Sequence, residues 1–372
     1  MQDQLKSAAR ILQCLPTRVL SPLGIQGNTS PPVNFVVEKA NWSIRWDGQY
    51  ITDGVNALSP DTAGITDAPH RLANRVVHFG SQYMWTSWGR HMSRSNRYAV
   101  TYFHGKPEDG PAAARNLEQV LESLPRLDFV ITAAKLMEQR LLEWGVPREK
   151  LVRIPIGVDT KLFHPPSEEE RLNARKDLHV PDGHFCIGSF QKDGVGWSDG
   201  LEPKMIKGPD IFLEAVDKIR REVPVYVLLT GPARGYVKKG LERMGVPYTH
   251  HFLDNFTDLA RYFHALDVYL VTSREEGGPK AISESMASGV PILTTRVGMA
   301  PDIVEDGVNG GLVDIEDVHG LAERALRIAT EPNYSQNLIQ AGLDCVGELD
   351  WSHIARQHWE QVYRPMLDRL KT

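Results

Sequence analysis

Short runs of apolar and β-branched residues alternate with helix-like segments along almost the whole chain. Continuous apolar runs of this kind are typical of parallel strands that are buried on both faces of a sheet. The pattern predicts strands at residues 34–38, 75–79, 98–103, 128–133 and 151–156 in the first half. It predicts five more in the second half, at residues 184–190, 224–231, 267–273, 291–295 and 310–314. Two such sets, with helices between their strands, indicate an α/β protein with two doubly wound domains.

The length of 372 residues also favours two domains, because single hydrophobic cores stop growing at about 250–300 residues. Residues 164–183 carry prolines and many charges but no strand pattern, so we interpret them as a linker. The predicted domains are residues 1–163 and 164–350. A further helix over residues 351–372, broken or kinked at Pro365, is expected to pack back onto the first domain.

Charge and composition exclude several classes of protein. The net charge of −5 argues against a general nucleic-acid binder. Its distribution is uneven, since residues 1–165 hold 19 Lys and Arg against 15 Asp and Glu, a net charge of +4. No apolar run approaches the roughly 20 residues that span a bilayer. The first residues lack the layout of a secretory signal, and three scattered cysteines suit a reducing compartment, so we expect a cytoplasmic protein.

Parallel sheets bind ligands at the carboxyl ends of their strands, so two facing sheets predict one interdomain cleft. One strand-end loop carries an unusual set of residues, "REEGGPKAISESMASG" at 274–289. Pro279 fits the first position of a short helix that Gly289 ends. The first free amides of this turn, near Gly277, Gly278 and Lys280, would suit a phosphate group.

Two glutamates flank this turn, eight positions apart. Glu284 is four residues after Lys280 and therefore shares its helix face, where a carboxylate can accept hydrogen bonds from ribose hydroxyls. Glu276, in the loop, would lie nearer the far end of the same ligand. Together these groups would form a site for a nucleotide sugar. The alternative is that Glu276 only complements the helix dipole and that Glu284 is a solvated surface residue.

The segment "SREEGGPKAISESMASGVPILTTRVGMAPDIVEDGVNGGLV" (273–313) resembles the E-x7-E signature of retaining glycosyltransferase family 4, whose members have the GT-B fold. "LVRIPIGVDTKLFHP" (151–165) and "IKGPDIFLEAV" (206–216) also resemble segments of that family. The resemblance covers roughly residues 98–360 and is weak before them. It implies a GT-B fold, with two Rossmann-like domains facing a cleft.

The resemblance also implies roles for individual residues. Glu284 matches the glutamate that holds the nucleotide ribose. Glu276 matches the glutamate near the donor sugar, with Glu275 as the alternative, interpreted as a surface neighbour. Gly277 and Gly278 match positions whose amides meet the diphosphate and the sugar.

Several cationic residues are candidates for binding the diphosphate. Lys207 matches the family lysine that binds this group. Gln191 stands where the family commonly has an arginine, and Lys192 is the candidate to replace it. Arg274 and Lys280 are additional candidates for substrate binding.

In the first half, His104 follows a predicted strand at a position where the family often places a histidine that reaches the donor sugar. The family's glycine-rich loop after the first strand is missing. Asn41, Trp42, Arg45 and Trp46 stand there instead, which leaves the acceptor open.

These features predict the transfer of a sugar from a nucleoside-diphosphate sugar to an acceptor hydroxyl, with retention, by His104, Glu276 and Lys207. The chain has no Asp-x-Asp pair, so we expect neither a metal nor another cofactor. The alternatives are a GT-B-type sugar-nucleotide epimerase and an inactive nucleotide-sugar-binding scaffold.

The acceptor is expected to be a glycan, a lipid-linked compound or a small molecule. Residues 81–98 combine Tyr83, Trp85 and Trp88 with three arginines, a composition that suits a lipid interface. The alternative is that these tryptophans lie in the core or line a saccharide groove. Peripheral contact of the first domain with the cytoplasmic membrane face is therefore one hypothesis.

Overall fold

The computed structural model describes residues 2–20, 30–39 and 43–371. The chain divides into two compact units. Unit 1 contains the described residues of Met1–Ile156 together with those of Trp351–Thr372, and unit 2 is Gly157–Asp350. Within these described residues each unit has one sheet of six parallel strands. The prediction of two doubly wound α/β domains is therefore confirmed.

Unit 1 has its strands in the order β2-β1-β3-β4-β5-β6, so the direction of winding changes between β1 and β3. The strands are β1 (Val33–Val36), β2 (Ala63–Thr66), β3 (Val76–Phe79), β4 (Arg97–Thr101), β5 (Phe129–Thr132) and β6 (Leu151–Arg153). The helices before and between them are α1 (Gln2–Leu20), α2 (Ser43–Leu58), α3 (Gln82–Trp88), α4 (Pro111–Glu122) and α5 (Lys135–Glu143).

Unit 2 has the order β9-β8-β7-β10-β11-β12, in which winding reverses between the adjacent strands β7 and β10. The strands are β7 (Phe185–Phe190), β8 (Val225–Thr230), β9 (Tyr248–His251), β10 (Val268–Val271), β11 (Ile292–Thr295) and β12 (Gly311–Val313). The helices are α6 (Glu168–Asp177), α7 (Pro209–Ile219), α8 (Gly235–Met244), α9 (Leu259–His264), α10 (Ala281–Ala287), α11 (Ala300–Ile303), α12 (Val318–Thr330) and α13 (Pro332–Val346). A reversal of this kind leaves a crevice beyond the carboxyl ends of the two strands.

Residues 164–183, interpreted from the sequence as a linker, lie inside unit 2 and contain α6. The Ser167 hydroxyl accepts from the Glu170 amide, and the Glu170 carboxylate accepts from the Ser167 amide, so a capping box starts the helix. Arg171 and Arg175 then pair with Asp267, just before β10, and hold α6 against the sheet. Unit 2 begins at Gly157, a few residues before the predicted boundary at 163/164.

The chain returns to unit 1 after Asp350 through α14 (Trp351–His358), a π-helical turn (Trp359–Tyr363) and α15 (Arg364–Lys371). The Trp351 ring stacks on Tyr50 with ring centroids 5.3 Å apart. A Cβ on Gly54 would lie 2.4 Å from the Cβ of Ala355, so α2 and α14 approach more closely than two side chains would permit. The irregular turn comes directly before Pro365, which cannot donate the backbone hydrogen bond of a regular helix.

A buried polar network joins this returning segment to the sheet of unit 1. His78 on β3 is fully buried and lies 2.7 Å by Nδ1 from the Tyr363 hydroxyl. Its Nε2 lies 2.8 Å from the Thr101 hydroxyl. Burial lowers the pKa of His78 well below its usual value, and it lowers that of neighbouring His358 to about 3. Both imidazoles are therefore neutral near pH 7.

Of the two tryptophans in residues 81–98, Trp85 is buried and Trp88 is half-buried. Trp85 is buried against Phe79 and Tyr98 in the core of unit 1. Trp88 is stacked on His70 at 5.6 Å, and the Arg10 guanidinium of α1 covers it at 5.2 Å. Within the described parts of the chain, none of the helices has the length and apolar character needed to cross a membrane.

Candidate active site

The carboxyl ends of β7 and β10 hold most of the predicted site residues, and a glycine permits their close approach. Gly208, directly before α7, has φ +62° and ψ +40°. A Cβ at this position would lie 1.8 Å from the Thr272 carbonyl oxygen. The Thr272 hydroxyl donates to the Gly208 carbonyl at 2.8 Å, which ties the start of α7 to the end of β10. This contact places Lys207 beside the loop that follows β10.

Lys207 and Glu276 form an ion pair in this loop. Lys207 Nζ lies 2.5 Å from Glu276 Oε1, and the Ser273 hydroxyl donates to the same oxygen at 2.8 Å. The two side chains are 23% and 13% exposed, so both are shielded from water but remain accessible. The two residues that the sequence assigned to diphosphate and donor sugar therefore lie side by side.

The loop between β10 and α10 presents unpaired backbone donors. The amides of Arg274 and Glu275 donate to the Ile206 carbonyl. Among the described residues, the next three amides, those of Glu276, Gly277 and Gly278, donate to no protein acceptor. Gly277 is buried, and the backbone at Gly298 approaches its carbonyl so closely that a Cβ there would lie 2.6 Å away. Three consecutive donors beside a lysine are suited to bind an anion.

Glu284 lies on α10 and is only 4% exposed, so the solvated-surface interpretation is wrong. Glu275, expected to be a surface neighbour, is 7% exposed, and that expectation is also wrong. The carboxylate of Glu284 is close enough to Tyr269 to contribute to the raised pKa of that phenol, for which burial is the main cause. Glu276 contributes in the same direction, but less than Glu284.

Two more lysines lie near the ion pair. Lys192 follows β7, and its amine lies 3.7 Å from the centre of the Trp197 ring. Lys204 was not recognised from the sequence. Its pKa is lowered by burial first and then by the charges of Lys207 and Lys192, while Glu276 opposes the shift. Within the described residues no ion pair joins Lys192 or Lys204 to a carboxylate.

The loop after β7 is fixed by a buried ion pair that the sequence did not reveal. Arg234 Nε lies 3.0 Å from Asp193 Oδ1, although the two do not align as a hydrogen bond, and the side chains are 0% and 1% exposed. Arg234 also donates to the carbonyls of Ser189 and Thr230 at 2.6 and 2.8 Å. Burial raises the pKa of Asp193 despite the adjacent arginine. The two residues are 41 positions apart in the sequence, and no local sequence pattern predicts that they form an ion pair.

Arg274, a candidate for substrate binding, makes several contacts with neighbouring parts of unit 2. Its guanidinium donates to both carboxylate oxygens of Asp210 at 2.9 and 2.7 Å, to Glu316 at 2.7 Å and to the Met205 carbonyl at 2.7 Å. The bidentate pair raises the pKa of Arg274 and lowers that of Asp210. One guanidinium N–H remains for a ligand, so this geometry favours a structural role.

Lys280 directly precedes α10, and its amine lies 5.2 Å from the Phe256 ring centre. Lys280 is half-buried, and its role as a substrate-binding cation stays a prediction.

His104 belongs to unit 1 and follows β4. Buried Gln82 holds the backbone here, since its amide donates to the His104 carbonyl at 2.9 Å and accepts from the Phe103 amide at 3.3 Å. Gly105 follows with φ +104°, which turns the chain away from the strand. Arg45 and Trp46 lie on α2, whereas Asn41 and Trp42 are outside the described residues.

The sequence is similar to a known enzyme family. Residues 195–331 match the family described as "Glycosyl transferases group 1". The chain is 36% identical over 225 residues to the D-inositol 3-phosphate glycosyltransferase of Thermobifida fusca (strain YX), covering 56% of this chain and 48% of that protein. It is 24% identical over 201 residues to the N-acetyl-alpha-D-glucosaminyl L-malate synthase of Bacillus anthracis, covering 54% and 52%. The chain thus spans about half the length of the curated relatives it matches.

The fold is similar to that of the crystal structure of Anabaena Alr3699/HepE in complex with UDP and glucose. The TM-score is 0.73 at 17% sequence identity, with 89% of this chain and 98% of that chain covered. This likeness confirms the predicted GT-B fold, and the sequence matches confirm the predicted resemblance to glycosyltransferases of family 4.

Proposed function

We propose that this chain, a family 4-like glycosyltransferase of GT-B fold, transfers a glycosyl group from a nucleoside-diphosphate sugar to an acceptor hydroxyl. The observation that carries the proposal is the pairing of Lys207 with Glu276 beside three free amides at the point where the sheet of unit 2 changes direction. Crevices at such points are where open α/β sheets bind nucleotides.

The charges of this site suit a diphosphate leaving group. As the bond between the anomeric carbon and the diphosphate oxygen breaks, negative charge grows on that oxygen. The acceptor oxygen forms the new bond to the anomeric carbon, and its proton passes to the released diphosphate. The amides of Gly277 and Gly278 would stabilise this charge as preorganised donors that need no rearrangement, and Lys207 would join them once the diphosphate has replaced Glu276. We assign the charge neutralisation to these protein groups and propose that transfer needs no metal or cofactor.

The two glutamates would hold the neutral parts of the donor. Glu284, buried on α10, would accept hydrogen bonds from ribose hydroxyls, and Glu276 would accept them from the donor sugar. In the free protein Glu276 is held by Lys207 and Ser273, and we assign it hydrogen bonding to the donor sugar rather than attack as a nucleophile. Transfer with retention and without a covalent intermediate is therefore the proposed course.

The donor and the acceptor are the finer parts of the proposal. The neighbour with UDP and glucose bound supports a nucleotide-sugar donor. The relatives named for inositol 3-phosphate and for malate support a small hydroxyl compound as acceptor, and a glycan or lipid-linked acceptor is the alternative. We assign His104 to the transfer step on the basis of its place after β4.

The first experiment identifies the donor. Thermal shifts with UDP, GDP, ADP and their sugars should show one preferred nucleotide, because a ligand at 100 times its Kd stabilises by about 2.7 kcal/mol. Radiolabelled donor is then incubated with acceptor panels, with and without EDTA. The proposal is supported if labelled product forms only when an acceptor is present and still forms in the presence of EDTA.

Two other outcomes identify the alternatives. Conversion of the donor sugar without any acceptor would mean a sugar-nucleotide epimerase. Binding of the donor without turnover in any panel would mean a nucleotide-sugar-binding scaffold. The Lys207→Ala variant separates binding from chemistry, since we expect turnover to fall about a hundredfold or more, with a smaller loss of donor affinity.

A second proposal concerns location. We propose a cytoplasmic protein that contacts the membrane through unit 1. Helix α1 exposes an apolar stripe, and the segment that follows Trp88 exposes Arg90 and Arg94. The stripe consists of Ile11, Leu12, Leu15 and Val19. Co-sedimentation with anionic and neutral vesicles at low and high salt tests this. An absence of salt-sensitive binding to anionic vesicles would contradict it.

A further inference from the structure

The amide of Phe103 loses its regular strand partner at the end of β4. In the ladder between β3 and β4, the Arg97 amide donates to the Arg75 carbonyl at 2.9 Å, and every second residue of β4 faces β3 in the same way. Continued with the same offset, the ladder would give Phe103 the carbonyl of Ser81. That carbonyl instead accepts two amides in the first turn of α3, at 3.1 and 3.2 Å, because Ser81 is the N-cap of this helix.

The side chain of Gln82 takes the place of the missing strand residue. Its oxygen accepts from the Phe103 amide at 3.3 Å, and its nitrogen donates to the His104 carbonyl at 2.9 Å. Gln82 is only 1% exposed, so its carboxamide is shielded from water. A primary amide offers the same donor and acceptor types as a peptide group. Gln82 therefore holds two consecutive backbone positions of the loop that follows β4.

The loop is also constrained on the other side of His104. Gly105 is buried and has φ +104°, a conformation that residues other than glycine rarely adopt. A Cβ at Gly105 would lie 3.8 Å from the Tyr83 hydroxyl, so the residue after Gln82 packs beside the residue after His104. The backbone of His104 therefore lies between two fixed positions, and both depend on the start of α3.

A second buried carboxamide has the same kind of contacts at the opposite edge of the sheet. Asn96, directly before β4, is 5% exposed. It accepts from the Arg75 amide at 3.0 Å and donates to the Leu72 carbonyl at 2.9 Å. None of the predicted site residues lies at this amino edge. Asn96 therefore provides a matched comparison for Gln82, with similar burial and similar bonds but away from His104.

We propose that Gln82 is a positioning residue for glycosyl transfer, which fixes the backbone of Phe103 and His104 and thereby holds the His104 imidazole in one place in unit 1. The inference deepens the proposed function and rests on it, since it uses the assignment of His104 to the transfer step. The role of Gln82 is indirect and is exerted through His104. It matters for the rate because a displacement of about 1 Å can reduce turnover about a hundredfold.

The first test removes both hydrogen bonds with little change in the size of the side chain. In Gln82→Met we expect kcat for transfer to fall about tenfold to a hundredfold, while the Kd of the donor stays within about twofold of the wild type. Asn96→Leu is the matched control and should leave kcat within about twofold of the wild type. Urea unfolding of both variants shows whether their stabilities are comparable.

A double-mutant cycle with His104 separates positioning from general stabilisation of unit 1. If Gln82 acts through His104, Gln82→Met should change the residual kcat of His104→Ala by less than about twofold. An equal loss of kcat with and without the His104 imidazole would overturn the proposal, because Gln82 would then act independently of His104.

Gln82→Glu keeps the size of the side chain and adds a dependence on pH. The protonated carboxyl has one donor and one acceptor, like the amide, whereas the carboxylate has no proton to donate to the His104 carbonyl. Burial favours the protonated form by raising the pKa of the carboxyl. We expect kcat of this variant, relative to the wild type, to be at least about threefold higher at about pH 6 than at about pH 8. A ratio that is the same at both pH values would overturn the role of the donated hydrogen bond.

Nuclear magnetic resonance of the His104 imidazole gives a measurement that does not depend on transfer. Its signals are assigned by their loss in His104→Ala. They should shift in Gln82→Met and remain in place in Asn96→Leu. Unchanged signals in Gln82→Met would overturn the proposal.

The two proposals fail separately. Transfer by the wild type, with an undiminished kcat in Gln82→Met, would overturn the role of Gln82 and leave the proposed function in place. Signals of His104 that depend on Gln82, without transfer from any donor by the wild type, would overturn the proposed function and still show that Gln82 positions His104.

Discussion

Lys207 Nζ lies 2.5 Å from Glu276 Oε1, so in the free protein the carboxylate occupies the position on the lysine that a phosphate oxygen would take. Under the proposed function, a donor would replace Glu276 on Lys207 when it binds. The displaced carboxylate would then be available to hydroxyl groups of the sugar, so the pair would link binding of the diphosphate to recognition of the sugar.

Glu276→Gln tests this exchange. The amide is nearly the same size but does not compete for Lys207 as an ion, so we expect nucleoside diphosphates to bind about threefold to tenfold more tightly. Sugar transfer should fall, because the carboxylate that receives the sugar hydroxyls is lost. Calorimetry and turnover are compared on the same preparation. Weaker binding of the nucleoside diphosphate would contradict the exchange.

Glu284→Ala should weaken binding of the nucleotide by about 1.5–3 kcal/mol, because a charge-assisted hydrogen bond to the ribose is removed. Glu214→Ala, on the exposed face of α7, is the control and should leave affinity unchanged. Calorimetry with the preferred nucleoside diphosphate and with its deoxyribose analogue measures the effect. Equal affinities for wild type and variant would remove Glu284 from the ribose site.

His104→Ala should reduce transfer while leaving donor binding intact, because His104 lies in unit 1 and the donor groups lie in unit 2. Glu108→Ala, an exposed change a few residues further along, is the control. Turnover and donor affinity are measured for both. Near-normal turnover of the His104 variant would give this side chain a structural role only.

Gly208→Ala and Gly245→Ala form a matched pair for the contact that places Lys207. Both glycines have positive φ, +62° and +68°, and alanine should cost about 1–2 kcal/mol at either position for this reason. Only Gly208 meets a neighbour, the Thr272 carbonyl at 1.8 Å, whereas a Cβ on Gly245 meets nothing within 4 Å. We expect a loss of about 2–5 kcal/mol in the free energy of unfolding for Gly208→Ala. Equal losses in urea unfolding would show that the contact is not tight.

Acid should destabilise unit 1 through its buried histidines. The pKa of His358 is lowered to about 3 by burial, from an ordinary value of 6.5, so the unfolded chain binds more protons between these pH values. Stability is therefore full above about pH 6.5 and falls as the pH decreases towards 3. In His358→Phe the slope should be smaller by up to about 1.4 kcal/mol per pH unit. The exposed His319→Gln should retain the wild-type slope.

Of the twelve strands among the described residues, ten were predictable from the sequence, but β2 and β9 were not. β2 is mostly half-exposed and β9 consists of the polar sequence Tyr-Thr-His-His. Each pairs with a single neighbour at an edge of its sheet, so neither needs the continuous apolar run that marks a central strand. α6 could have been found, since Ser167 and Glu170 spell a capping box within the segment interpreted as a linker.

Some features of the candidate site were also predictable from the sequence, and others were not. Glu276 and Lys207 were predicted as site residues because they stand in recognisable local patterns. The pairing of Asp193 with Arg234 and that of Arg274 with Asp210 depend on contacts between distant parts of the chain. Arg274 was predicted to bind substrate because the sequence shows a cation in this loop. The sequence does not show that the carboxylate of Asp210 pairs with that cation.

The return of residues 351–371 to unit 1 has a consequence for synthesis on the ribosome. His78 has its hydrogen-bond partner Tyr363 on the far side of unit 2 along the chain, so the core of unit 1 is incomplete while Gly157–Asp350 is being translated. At about 5–20 residues per second, that interval lasts about 10–40 s. During it the surfaces of α2 that later receive Trp351 and Ala355 are uncovered, and unit 2, which is continuous in sequence, can fold first. We therefore expect chaperones to bind the nascent chain chiefly during this interval, when unit 1 is still incomplete.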